Sequence, residues 1–191
     1  MTRLEAALVE VTSFLEDRRI PYMIIGGFAN LFWGVERFTR DLDVTIEMPD
    51  QGLEELVQGL GERFDLSGPD AVDFARRNHL IQFQTRTEVP VDLIIAALPY
   101  ETAAIRRALT AGVADREVRL CSPEDLIIHK LASERRQDAA DVEGIILRQS
   151  KRIDRQYLGA RVRELSAGLE RPEIVDFYEE LLRKADSLPA R

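Results

Sequence analysis

The sequence predicts an α+β fold: a mixed β-sheet flanked by helices, followed by a block of helices. Three observations carry this. Short runs rich in Val, Ile, Leu and Tyr recur at residues 22–26, 42–48, 80–84, 91–95 and 117–121, with the length and composition of strands. Segments of helical period separate them, so the two kinds of element interleave. After Ser122 no strand signal remains, and the chain reads as helix in about four pieces. With 191 residues and 45% hydrophobic content there is material for one domain with a helical extension. The expected division is an α/β core over residues 1–121 and a helical region over 122–191 packed on it.

Each element has its own reason. Leu4, Leu8, Val11, Phe14 and Leu15 recur at helical spacing, which predicts an amphipathic helix over 3–18. Pro21 closes it and introduces the first strand, 22–26. Gly26-Gly27 breaks that strand, and a short segment from Phe28 to Trp33 leads to Gly34. The second strand, 42–48, is followed by Pro49-Asp50, which breaks it and caps a helix over about 51–63. Residues 65–70 form a turn-rich link, and Pro69 starts a short helix to about Arg77. Leu80–Gln84 alternates like a half-buried strand, and Thr87-Glu88 suits a hairpin turn. Val91–Ile95 is nearly all apolar, as interior strands are. A helix over 99–109 and a strand over 117–121, with Val118 and Leu120 on one face, complete the core. Ser122-Pro123-Glu124-Asp125 is a strong helix start: a capping serine, proline at the first position and an acid three residues on. Gly168 and Pro172 mark the last helix boundary.

The net charge of −8 excludes a bulk nucleic-acid binder of the basic kind. The sign is uneven, however. Lys130 to Arg163 holds nine basic against five acidic residues. That segment reads either as solvated helix faces or as a basic wall for phosphates or RNA. One cysteine, Cys121, excludes an intrachain disulfide and a cysteine-rich zinc site. Glu5, Glu10 and Glu16 interrupt any apolar export signal, and no run approaches a membrane span. A reducing, cytoplasmic setting is expected.

The chain is organised around Tyr22–Glu47, YMIIGGFANLFWGVERFTRDLDVTIE. In a strand, Asp41 and Asp43 share one face while Leu42 and Val44 point into a core. Two neighbouring carboxylates repel each other and call for a counter-charge. A hard cation with oxygen ligands supplies it, and Mg²⁺ typically takes one or two carboxylates together with a substrate's phosphates. The double glycine suits the other half of such a site, because it lets backbone N–H groups and a helix N-terminus approach an anion closely. Asp92 stands before an apolar run as Asp43 does. A third carboxylate of this kind can ligate a metal and accept a proton from an attacking hydroxyl. His79 and His129 lack metal-ligand spacing, Cys121 reads as a small buried residue, and Phe32 and Trp33 read as core before they read as a base-stacking pair.

With those residues assembled, the pattern IIGGFANLFWGVERFTRDLDV resembles the nucleotidyltransferase superfamily of polymerase-beta type. Within it, the pattern is similar to the branch of AbiEii-type toxin nucleotidyltransferases and small antibiotic nucleotidyltransferases. The Arg-x-Thr-x-Asp-x-Asp run of that branch is matched by Arg37, Thr39, Asp41 and Asp43. Its later Lys, Arg and Asp-x-x-Asp are matched by Lys130, Arg135-Arg136, Asp138 and Asp141. The resemblance covers about residues 20–147 and implies a nucleotidyltransferase-like sheet. It also implies Mg²⁺-dependent transfer of a nucleoside monophosphate from an NTP such as ATP to a hydroxyl of RNA, protein or a small molecule. Gly26 and Gly27 would hold the triphosphate, with Arg37, Thr39 and Lys130 also at the nucleotide. Asp41 and Asp43 would bind both metals, and Asp92 the catalytic one. Lys130 would be a catalytic cation. Arg136, Asp138 and Asp141 read equally as a salt-bridged joint between helices. A toxin role would add an antitoxin or regulator as partner. The alternative is a non-catalytic nucleotide-binding or toxin–antitoxin partner protein that keeps the fold.

Overall fold

The computed structural model describes residues 1–49, 52–68 and 70–188. The chain forms two compact units. The first comprises residues 1–28 and 38–121, the second residues 29–37 and 122–191.

Among the described residues the first unit is built on a seven-stranded mixed sheet. Its strands are β1 (Tyr22–Ile24), β2 (Leu42–Ile46), β3 (Asp65–Leu66), β4 (Leu80–Gln84), β5 (Pro90–Ile95), β6 (Leu109–Val113) and β7 (Arg116–Leu120), in the order β3-β4-β5-β2-β1-β7-β6. β2 runs parallel to β5 and β1 parallel to β7, and the remaining pairs are antiparallel. Alternation decides which face is core. Leu42, Val44 and Ile46 on β2 and Val91, Leu93 and Ile95 on β5 are buried, while Asp43 and Asp92 between them are partly exposed. The helices of this unit are α1 (Arg3–Asp17), α3 (Leu53–Gly61), α4 (Ala71–Asn78) and α5 (Pro99–Arg107), together with the first turn of α2 (Gly26–Trp33). α1 begins with a capping box between Thr2 and Glu5 and buries Ala7, Leu8, Val11, Phe14 and Leu15. Phe14, Phe64 and Phe83 pack edge-on and stacked, with ring centroids 5.7 and 4.8 Å apart.

Some boundaries differ from the sequence expectation. β1 ends at Ile24, because Gly26 at φ +65° already turns the chain into α2. β2 stops at Ile46. The expected helix starts at Asp50 and Pro69 lie outside the described residues. The helix expected to reach Leu109 ends at Arg107, and Leu109–Val113 instead forms edge strand β6, hairpinned to β7. The Leu-Thr-Ala-Gly-Val run has weak strand propensity and is mostly exposed, so it carries no hydrophobic period. β3 is two residues long, too short for any periodicity to register.

The second unit is helical, with α6 (Pro123–Leu131), α7 (Arg136–Gln149), α8 (Arg155–Leu169) and α9 (Glu173–Ser187). Ser122 Oγ accepts the Asp125 N–H at 3.1 Å, the expected cap. α6 is buried almost all round, polar residues included. Glu124 accepts the Asp154 N–H at 2.8 Å, and Asp125 accepts the Tyr157 hydroxyl at 2.7 Å. These bonds offset the cost of burying carboxylates. Leu126, Ile127, Val142, Ile145, Ile146, Leu158 and Val162 fill the interior. Among the described residues no helix is long and apolar enough to cross a membrane.

Candidate active site

β2 and β5 are paired in register, Leu42 beside Val91 and Asp43 beside Asp92. Side-by-side residues of neighbouring strands project from the same face at the strand spacing of about 4.8 Å. The pairing therefore sets the two carboxylates next to each other on the face opposite the buried Leu42 and Val44. The next strand extends the row. Gln82 of β4 pairs with Asp92, and its amide donates to Asp92 Oδ1 at 2.8 Å. Nothing in the sequence singled out Gln82. Its signal was present only as the polar position in an alternating strand.

Gly26 lies against Asp43, and Gly27 against Thr39. The Ile25 N–H donates to the Asp43 carbonyl at 3.0 Å, which brings the start of α2 beside β2. A Cβ at Gly26 would collide with the Asp43 carboxylate, and one at Gly27 with the Thr39 hydroxyl. Gly26 is thus required twice, for its positive φ and for the space its missing side chain leaves. Thr39 in turn donates to Asp41 Oδ1 at 2.9 Å. Asp41 sits one residue before β2 and is exposed. The first N–H groups of α2 have no partners within the helix, so this end carries partial positive charge next to the acids. Gly26→Ala should cost about 1–2 kcal/mol from backbone strain alone, plus displacement of Asp43. A urea titration combined with a nucleotide-binding assay would measure both losses.

Donor chemistry matches a hard divalent ion. Asp43 and Asp92, with Asp41 beside them, offer only carboxylate oxygens. Among the described residues, no three His, Cys, Asp or Glu side chains converge enough to enclose a metal by themselves. Mg²⁺ does not need such a cage, since it uses one or two carboxylates and completes its shell with phosphate and water. The pair at Asp43 and Asp92 fits that pattern.

Phe32 and Trp33 are half-buried, with ring centroids 6.4 Å apart. The exposed aromatic next to Thr39 and Asp41 is Phe38, 78% accessible, with the Arg40 guanidinium 5.4 Å from its ring centroid. Lys130 and Arg37, expected at the nucleotide, lie in the second unit and bind carboxylates there. The Lys130 ammonium is 5% exposed and donates to Asp138 Oδ1 at 3.0 Å and Asp141 Oδ2 at 2.6 Å. Arg37 forks onto Asp141 from Nε and Nη2, at 2.9 and 2.8 Å. Arg135 donates to Asp138 at 2.7 Å, and Gln137 to Asp141 at 3.2 Å. Asp138 and Asp141 therefore belong to the salt-bridged joint weighed at the outset.

Burial alone would push the carboxyls of Asp138 and Asp141 up. Hydrogen bonds outweigh it, from Ser133, Lys130 and Arg135 to Asp138, and from Arg37, Lys130 and Gln137 to Asp141. Both groups titrate below the usual aspartate range. A carboxyl depressed in the folded state contributes stability that is present above the unfolded pKa of about 3.9 and lost as pH falls through the folded values. Stability should therefore fall below about pH 4, and less steeply in Asp138→Asn/Asp141→Asn than in wild type. Urea midpoints measured between pH 2 and 6 would show it.

Comparison with known proteins adds the family. Residues 4–183 match a family model described as "Nucleotidyl transferase of unknown function (DUF2204)". No protein of curated function matches the sequence. Solved structures share the fold. One is an antigenic nucleotidyltransferase-like protein from Paracoccidioides brasiliensis, 16% identical over 93% of this chain and 91% of that one, with a TM-score of 0.52. Another is the lincosamide antibiotic adenylyltransferase LnuA with lincomycin bound, 14% identical over 73% and 94%, TM-score 0.51. A third is the antibiotic-resistance factor ANT(2'')-Ia in solution, 21% identical over 87% and 95%, TM-score 0.55.

Proposed function

Since the chain belongs to this nucleotidyl transferase family, we propose that it moves a nucleoside monophosphate from an NTP, ATP foremost, to a hydroxyl acceptor. The observation that supports this reading is the in-register pair of Asp43 and Asp92, with the Asp43 carboxylate lying over the backbone of Gly26. The acceptor hydroxyl attacks the α-phosphorus, the bond to the bridging oxygen breaks, and pyrophosphate leaves with that oxygen. Gly26 and Gly27 let the first N–H groups of α2 lie along the triphosphate. Asp92 takes the hydroxyl proton, a role that Gln82 prepares by fixing the orientation of its carboxylate. Thr39 holds Asp41 at the edge of the pair. Mg²⁺ bound by Asp43 and Asp92, with Asp41 beside them, would neutralise charge on the reacting phosphates.

The test is incubation with each NTP labelled at the α-phosphate, in the presence of Mg²⁺ and either total RNA, protein or aminoglycosides. Label should move to one acceptor class with release of pyrophosphate, and EDTA should stop it. Nucleotide binding with no pyrophosphate released from any mixture would replace this reading by a non-catalytic one.

A further inference from the structure

We propose that the second unit carries a binding groove for the phosphodiester backbone of a structured RNA. The groove, about 870 Å³, is formed by the end of α7, the turn after it, the start of α8 and the end of α9. Among the described residues Arg148, Lys151, Arg152 and Arg155 line it, against one acid, Asp186. Four cations to one anion in a single groove is a strong local excess for a chain of net charge −8.

Fold stability does not account for all of them. Cations in and just after the last turn of α7 favour the negative end of that helix, which explains Arg148 and Lys151. The same argument counts against Arg155, the first residue of α8, where the helix end is positive. Arg155 is nevertheless fixed there by a two-pronged bond to Asp186, at 2.6 and 3.0 Å. Arg148 is anchored on the Gly34 carbonyl. Lys151 and Arg152 are exposed and make no ion pair with any described residue. Two anchored guanidiniums and two exposed cations suit a chain of phosphates, which neutralises several positive charges in a row.

The lining narrows the ligand further. Among the described residues no aromatic side chain lines the groove, so they offer nothing for unpaired bases to stack on. Contacts of this kind position a nucleic acid by its backbone and do not read its sequence. A base-paired stem recognised by shape and phosphates is the matching form. Resting on the proposed transferase reading, this inference commits to RNA as the class that supplies the acceptor hydroxyl.

Binding of a labelled RNA hairpin to the full chain, measured by anisotropy from 50 to 200 mM salt, tests this. Lys151→Glu/Arg152→Glu should weaken binding on the order of tenfold or more. Lys151→Ala/Arg152→Ala should lower the salt slope by roughly 1–2. Both variants should bind ATP with Mg²⁺ as wild type does and keep its melting temperature. Equal RNA affinity in wild type and the charge-reversed variant would overturn the proposal. So would tighter binding of the matching DNA hairpin, or competition by polyglutamate as strong as by RNA. RNA binding that depends on the groove in a protein that transfers no nucleotide would leave the groove standing and remove the transferase reading.

Discussion

Asp43→Asn should reduce nucleotidyl transfer by about 10³-fold, roughly 4 kcal/mol of transition-state stabilisation. The substitution keeps the shape of the side chain, so the contact over Gly26 survives and the sheet register is undisturbed. It removes half of the negative charge from the row that would hold the cation. The side chain keeps its place on the strand, so the melting temperature should change little. Single-turnover kinetics and a thermal melt on the same preparation separate the two effects. A large fall in melting temperature with transfer intact would make Asp43 a structural residue and leave the site without its centre.

Lys130→Met should cost about 3–5 kcal/mol of stability. Lys130, Asp138 and Asp141 are each 5% exposed or less, and the ammonium is the one buried cation between the two carboxylates. Removing it leaves two buried anions facing each other, with Arg37 and Arg135 reaching them from more exposed positions, 29% and 80% accessible. Replacing the whole buried set, as Lys130→Met/Asp138→Asn/Asp141→Asn, should recover most of the loss, because a complete ion cluster often contributes little beyond what apolar packing would. Urea denaturation followed by circular dichroism measures both variants. A single substitution costing under about 1 kcal/mol would mean that the charges are solvated.

The same two sites show how far the sequence can be read. Leu42-Asp43-Val44 and Val91-Asp92-Leu93 each announce a strand with one buried face and one acid on the other, because the two-residue period of a strand is written directly in the side chains. The cap at Ser122 is legible for a similar reason: its partner, the Asp125 N–H, is three residues away. β6 was not legible, since an exposed edge strand of Leu, Thr, Ala, Gly and Val buries too little to leave a pattern. The burial of Lys130 was not legible either. A helix buried almost all round keeps its charges by pairing them, and the partners of Lys130 on α7, Asp138 and Asp141, cannot be inferred from its own neighbours in the chain.

By itself the sequence determined the alternation of strands and helices, the faces turned to the core, and the glycines and aspartates that can serve a phosphate reaction. These are local properties, set by side-chain period and backbone freedom within a few residues. Tertiary structure alone decided that β5 lies parallel to β2 in the register that sets Asp92 beside Asp43, that Gln82 orients Asp92, and that Asp141 takes both Lys130 and Arg37. Strand order and ion pairing join residues far apart in the chain. They are selected by the burial and charge balance of the whole fold, which no single segment encodes.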